Sequence, residues 1–229
     1  MNELRRRLTA GPALALLCAT LSPGRAFASD AGEAQSIVDN ARASLRGFLG
    51  DKDYASLPGL MRQARAVMIF PQVLKAGFFL GGSGGTGVLL VRDEKSGEFG
   101  QPAFYTMGAV SFGLQFGGSA AEMIMLVNSQ KALDSMLSDK LKLGAEASIA
   151  AGPKGAAQTS TITADFVSYA RAKGAFLGMS VEGSVLDVRD SLNHGYYGKS
   201  VSPADILVRK AASNKGADSL RAALKAAAQ

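Results

Sequence analysis

The chain has 229 residues, 25 basic against 19 acidic side chains, one histidine, one cysteine and no tryptophan. A single histidine and a single cysteine exclude imidazole–thiolate metal centres, and a net charge of +6 with no dense Lys/Arg stripe or basic–aromatic motif excludes wholesale nucleic-acid binding. A chain of this length closes one hydrophobic core without covalent staples, so one domain is expected.

Arg5, Arg6 and Arg7 precede an apolar run over residues 8–21, and Ala26-Phe27-Ala28 follows, the three-part pattern of an export signal cut after residue 28. The run is shorter than the roughly 20 residues needed to cross a bilayer. It therefore predicts export rather than anchoring, by the general secretory or the twin-arginine route. Cys18 follows Leu17 rather than a small residue, which argues against lipidation there. The expected product is a periplasmic or membrane-associated protein of residues 29–229. Arg5, Arg6, Arg7, Arg25 and Glu3 belong to the signal, which leaves +3 of the +6 and no thiol for a disulfide.

Ala34, Ile37, Val38, Ala41, Leu45 and Phe48 recur at helical spacing, with Arg42 and Arg46 on the opposite side, so an amphipathic helix is expected to end near Gly50. A shorter helical piece over 53–64 carries Arg62 and leads through Arg65 to a strand at 66–70, which Pro71 is expected to stop. Residues 69–92 and 99–127 are apolar runs of strand length broken by glycines. They predict strands near 77–81, 86–92, 99–107, 109–116 and 122–127, with a hairpin turn at 93–98 and a glycine bend at 81–87 that lets the sheet curl. A short helix is expected at 129–137. Leu141, Leu143, Ala145, Ala147 and Ile149 alternate as one strand face, followed by a turn at 152–155 and strands over 158–170 and 175–186, arranged as a meander. A basic helical tail over about 204–229 ends the chain. The fold class is α+β: a strongly curved, mainly antiparallel, barrel-like sheet of about eight strands with helices at both ends.

Two catalytic patterns overlap on the glycine segment. Gly82-Ser83-Gly84-Gly85-Thr86-Gly87 fits the dinucleotide turn, and Gly81-Gly82-Ser83-Gly84-Gly85 fits the nucleophile elbow, with His194 as the lone available base. Both need a helix next, and Val88-Leu89-Leu90-Val91 is a strand pattern. No catalytic residue and no cofactor is therefore expected, and a Ser83/His194 hydrolase ranks last. Glu122, Glu146, Asp165 and Glu182 lie in or beside apolar strands. They fit solvent-facing positions or paired buried carboxylates, with Lys75, Lys142 and Lys173 as available partners. Arg42, Arg46, Arg62 and Arg65 can meet anionic headgroups while Phe48 and Leu49 enter the interface. The plain alternative is a helix packed on the sheet with its arginines in water.

The segments IFPQVLKAGFFLGG, QPAFYTMGAVSFGLQFG, LKLGAEASIAAGP, DFVSYARAKGAFLGMSVEGSVL and YYG, in this order, resemble the SYLF domain, a lipid-binding family also known as an actin-regulator domain. The resemblance covers about residues 34–198. It implies a non-enzymatic phospholipid-binding module, with anionic phospholipids or a membrane surface as partner. A structural or protein-interaction module of the cell envelope is the alternative. Two features depart from the family: the first helix carries only Arg42 and Arg46 where eukaryotic members are lysine-rich, and Phe99 stands where many members have tryptophan.

Overall fold

The computed structural model of the protein describes residues 23–77, 80–112, 117–138, 140–152, 163–172 and 181–229. Helix α1 (Pro23–Leu49) begins ahead of the expected start. Its Ala34, Val38, Ala41, Leu45 and Phe48 form one stripe, each at most 1% exposed, because spacings of three and four return a side chain to the same helix face. A 3-10 turn (Lys52–Tyr54) leads to α2 (Leu57–Gln63), where Pro58 occupies the first turn and its missing N–H breaks no helical bond.

Strands β1 (Ala66–Gly77) and β2 (Leu80–Val91) pair antiparallel, β3 (Ala103–Phe112) adds beside β2, and β4 (Gly117–Val127) returns to the free side of β1. This is a Greek key, with the fourth strand lying beside the first. Then come α3 (Gln130–Ser135), β5 (Lys140–Lys142), β6 (Ile149–Ala151), β7 (Phe166–Ala172) and β8 (Val185–Val188). Three helices, α4 (Asp190–Tyr197), α5 (Pro203–Leu207) and α6 (Asp218–Ala227), complete the chain. The strands form one curled, half-barrel sheet in the order β5-β8-β3-β2-β1-β4-β7-β6, antiparallel throughout except for β6 beside β7. The expected fold class is the observed one.

Alternation along the strands divides the core in two. Val67, Ile69, Val88, Leu90, Ile124 and Leu126 face α1, α2, α4 and α6, whereas Ala66, Met68, Phe70, Leu89, Met123 and Met125 face α3 and α5. Side chains at successive strand positions point to opposite faces, so a sheet covered on both sides needs runs apolar at every position.

Four expectations about the strands are corrected. Pro71 does not stop β1. The register shifts between Ile69 and Leu74 against β2 and between Phe70 and Val73 against β4, so the residue without an N–H sits where the ladder is already interrupted by a bulge. The glycine segment is not a bend but part of β2, paired with β1 on one side and β3 on the other. Its glycines answer the bulge: a Cβ at Gly85 would strike the Gln72 carbonyl oxygen, and one at Gly87 would strike the Ile69 carbonyl oxygen and come within 2.7 Å of the Phe70 ring. The strands expected at 99–107 and 109–116 are one strand, β3, running through Gly108; residues 113–116 lie outside the described residues. Finally, the alternating face at 141–149 is broken by a turn at Gly144, whose φ of +83° favours glycine. That turn sends β5 to β8 and β6 to β7, at opposite edges of the sheet, so the segment is no meander. The turn expected from residue 153 onward, the strand start at 158–162 and residues 175–180 lie outside the described residues.

Candidate functional site

The four arginines expected at a headgroup surface separate into two kinds. Arg42 and Arg46 lie one helical turn apart on the outer side of α1, half-buried and exposed respectively, and Arg62 is exposed in the last turn of α2. Among the described residues none of these three has an ion-pair partner. Arg65, by contrast, is held by Glu94. Leu49, at the end of α1, is 37% exposed.

Phe48 is corrected. It belongs to the buried stripe of α1, is fully buried, meets Tyr54 edge-on at 4.7 Å and carries the Arg171 guanidinium over its ring at 5.3 Å. It cannot enter a lipid interface from there. The apolar face of α1 is likewise consumed by the sheet, so only headgroup contact from its polar side is open to this helix. The basic tail is no free arm either: Arg209 binds Asp205, Lys210 binds Asp93, Arg221 binds Asp218 and Lys225 binds Glu98.

Glu122 takes a different partner from the expected lysines. It stands directly across from Arg171 in the β4–β7 register, and Arg171 donates to its Oε2 through Nε at 2.8 Å and through Nη2. Ser44 of α1 donates to Oε1 at 3.1 Å. Gly47 leaves the room, since a Cβ there would run into the guanidinium. The arrangement braces the end of α1 to the sheet and offers no unpaired acid or base. Asp165 accepts from Ser129 Oγ and from the Ser148 N–H and Oγ, and these bonds, Ser129's foremost, hold its carboxyl below the usual range. Glu146 and Glu182 are exposed.

The catalytic patterns have no geometry behind them. Ser83 lies inside β2, opposite Ala109 of β3. His194 follows Asn193, whose Oδ1 accepts from the Phe104 N–H, so the two residues are tied to points on β3 about five residues, or roughly 17 Å, apart. No helix starts at the glycine segment, so it presents no N-terminus to a pyrophosphate.

A feature that sequence reasoning missed is a half-open cleft of about 580 Å³ around the β2–β3 turn, where Arg65, Arg92, Lys95, Lys210 and Arg221 converge. Those residues come from four separate parts of the chain, and no spacing rule connects them. The turn itself is set by Asp93, whose Oδ1 accepts from the backbone N–H groups of Lys95 and Ser96 and from Ser96 Oγ. The Ser96 N–H, then Lys210 and the Ser96 hydroxyl, hold the Asp93 carboxyl down to about 2.

Comparison with known proteins gives one family. The Ysc84 model, described as Las17-binding protein actin regulator, matches residues 108–227. The chain is 32% identical over 158 residues to Protein YSC84 of Saccharomyces cerevisiae, covering 66% of this chain and 33% of that protein. It is 30% identical over 157 residues to LAS seventeen-binding protein 3 of the same species, covering 66% and 34%. It is 28% identical over 140 residues to SH3 domain-containing YSC84-like protein 1 of Bos taurus, covering 59% and 41%. The chain thus spans about a third to two fifths of the length of these relatives. No solved structure matches it. With more than half of its residues under the family model, the chain belongs to the Ysc84, or SYLF, family of actin-regulator-like domains.

Proposed function

We propose that this chain is a non-enzymatic lipid-binding module that docks on anionic phospholipid surfaces through Arg42, Arg46 and Arg62, with Leu49 beside them. The observation that carries this reading is that these three guanidiniums, on the outer sides of two neighbouring helices in the chain, have no ion-pair partner among the described residues, as is also true of Arg92 and Arg189 elsewhere, while Arg65, Arg171, Arg209 and Arg221 are each tied to a carboxylate. Each basic residue near an anionic surface contributes about 1 kcal/mol, so three give weak, reversible docking that salt screens. With the apolar face of α1 turned to the core, the contact is peripheral and inserts no helix. The export pattern at the N-terminus points to the cell envelope as the place where the module works.

Sedimentation with vesicles tests this. At low salt the protein is expected to pellet with phosphatidylglycerol vesicles and not with phosphatidylcholine vesicles, and to be released by about 0.5 M salt. The Arg42→Glu, Arg46→Glu double variant is expected to lose about tenfold or more in affinity, since each reversal replaces attraction by repulsion. Equal binding to neutral vesicles, or an unaffected double variant, sinks the reading. The names of the relatives favour a second one, since YSC84-like proteins are called Las17-binding and SH3 domain-containing. A protein-interaction module would ignore vesicles and give one reproducible partner on crosslinking in its native envelope.

A further inference from the structure

We propose that the cleft at the β2–β3 turn is a binding site for a phosphomonoester group, distinct from the arginine surface of α1 and α2. Five cations, Arg65, Arg92, Lys95, Lys210 and Arg221, line it against three carboxylates, Asp93, Glu94 and Glu98, an excess of two positive charges. Each carboxylate is already engaged: Glu94 by Arg65, Asp93 by Lys210, and Glu98 by Lys225. The excess resides on Arg92 and Lys95, which make no ion pair among the described residues.

Arg92 makes the stronger case. Its Nε is buried with no hydrogen-bond partner, and its Nη2 lies over Gly97, 3.4 Å from where a Cβ would stand on that residue. A buried guanidinium donor without an acceptor is costly, and an anion supplied from the cleft would remove that cost with a small rotation of the side chain. A phosphomonoester carries a charge of about −2 near neutral pH, which matches the excess of two, and its three terminal oxygens suit a guanidinium and an ammonium together. The cleft volume of about 580 Å³ is that of a small-molecule site. Phe99, Leu133 and Leu207 give it an apolar side for the organic body of the ester.

Two sources share this chemistry, a soluble phosphate ester and the headgroup of phosphatidic acid. The full chain titrated with glycerol 3-phosphate is expected to show saturable amide shifts at Ser96 and Gly97, with acetate giving none. The Arg92→Met, Lys95→Met double variant is expected to bind at least about tenfold more weakly, while the Arg42→Glu, Arg46→Glu variant binds as the parent does. That last arm separates the cleft from vesicle docking, so either proposal can fail alone. Competition between glycerol 3-phosphate and phosphatidic acid vesicles assigns the ligand to the lipid; saturable ester binding without competition assigns it to a soluble ester. Lys95 is exposed, so Lys95→Glu leaves the core untouched and is expected to weaken ester binding even if the Arg92 variant fails to fold. Absence of saturation up to ~10 mM ester, equal shifts with acetate, or undiminished binding in Lys95→Glu overturns the proposal.

Discussion

At the scale of single residues, small side chains decide how closely the strands approach. Gly87 faces the carbonyl of Ile69 and the Phe70 ring, whereas a Cβ at Gly82 would stand 3.6 Å from the Ala109 carbonyl oxygen, an ordinary contact. Gly87→Ala is therefore expected to lower unfolding stability by about 2–3 kcal/mol, and Gly82→Ala to be near neutral. Urea unfolding of the two variants checks the contrast; equal midpoints would mean that β2 relaxes away from the bulge. The glycines were visible in the sequence, but the reason for them was not, because it lies in the backbone of β1 opposite. Phe48 teaches the same point from the other side. Its helical register with Leu45 and Ala41 marked it as a core residue, and the neighbouring arginines made a surface role tempting. The guanidinium partner of Glu122 lies 49 positions away and is found only once β4 and β7 are aligned.

At the scale of elements, what the sequence carried locally was legible. The stripe of α1 followed from its spacing, and α3 begins beside Ser129, whose hydroxyl accepts from the Ala132 N–H. Helix α5 opens with a capping box in which Ser202 Oγ accepts from the Asp205 N–H and Asp205 accepts from the Ser202 N–H and hydroxyl. The bonds from Ser202, with Arg209 behind them, hold the Asp205 carboxyl down to about 2. A carboxyl depressed on folding stabilises the native state above its unfolded value of about 3.9 and loses that contribution as pH falls toward 2. The cap is therefore expected to be intact at pH 5 and to loosen between about pH 4 and 2, as carboxyl NMR titration and amide exchange at Asp205 would register. Ser202→Ala is expected to move the Asp205 midpoint upward; an unmoved midpoint would assign the depression to the backbone N–H of residue 202 and to Arg209, without the hydroxyl. Strand partners were not legible in this way. The pairing of β5 with β8 and β6 with β7 depends on Gly144, a single residue whose positive φ turns an apparently continuous face into two strands.

At the scale of the whole molecule, the sheet is covered unevenly. Val67 to Phe70, Val88 to Leu90 and Met123 to Val127 are all fully buried, while Gly82 and Leu74 are exposed and Ser83, Gly84, Gly85, Ser119 and Ala120 are half-buried. Amides at 67–70 and 123–127 are expected to exchange only through global unfolding, and those at 82–86 through smaller openings with lower free energy. Hydrogen exchange resolved by residue checks this, and a Gly84 amide as slow as that of Ile124 would contradict it. The helical face also has a temporal aspect. Leu220 and Leu224 of α6 are fully buried in the cluster that contains Ala34 and Val38 of α1, and Gln35 donates to the Gly216 carbonyl across 181 positions of chain. Contacts of such separation return stability only after their loop entropy has been overcome, so they slow folding. During synthesis, the sheet and α4 are available to cover the apolar stripe of α1 before α6 exists, and the last part of that cover arrives only when residues 220 and 224 have been made. For that interval part of the apolar surface of α1 stays open to other chains.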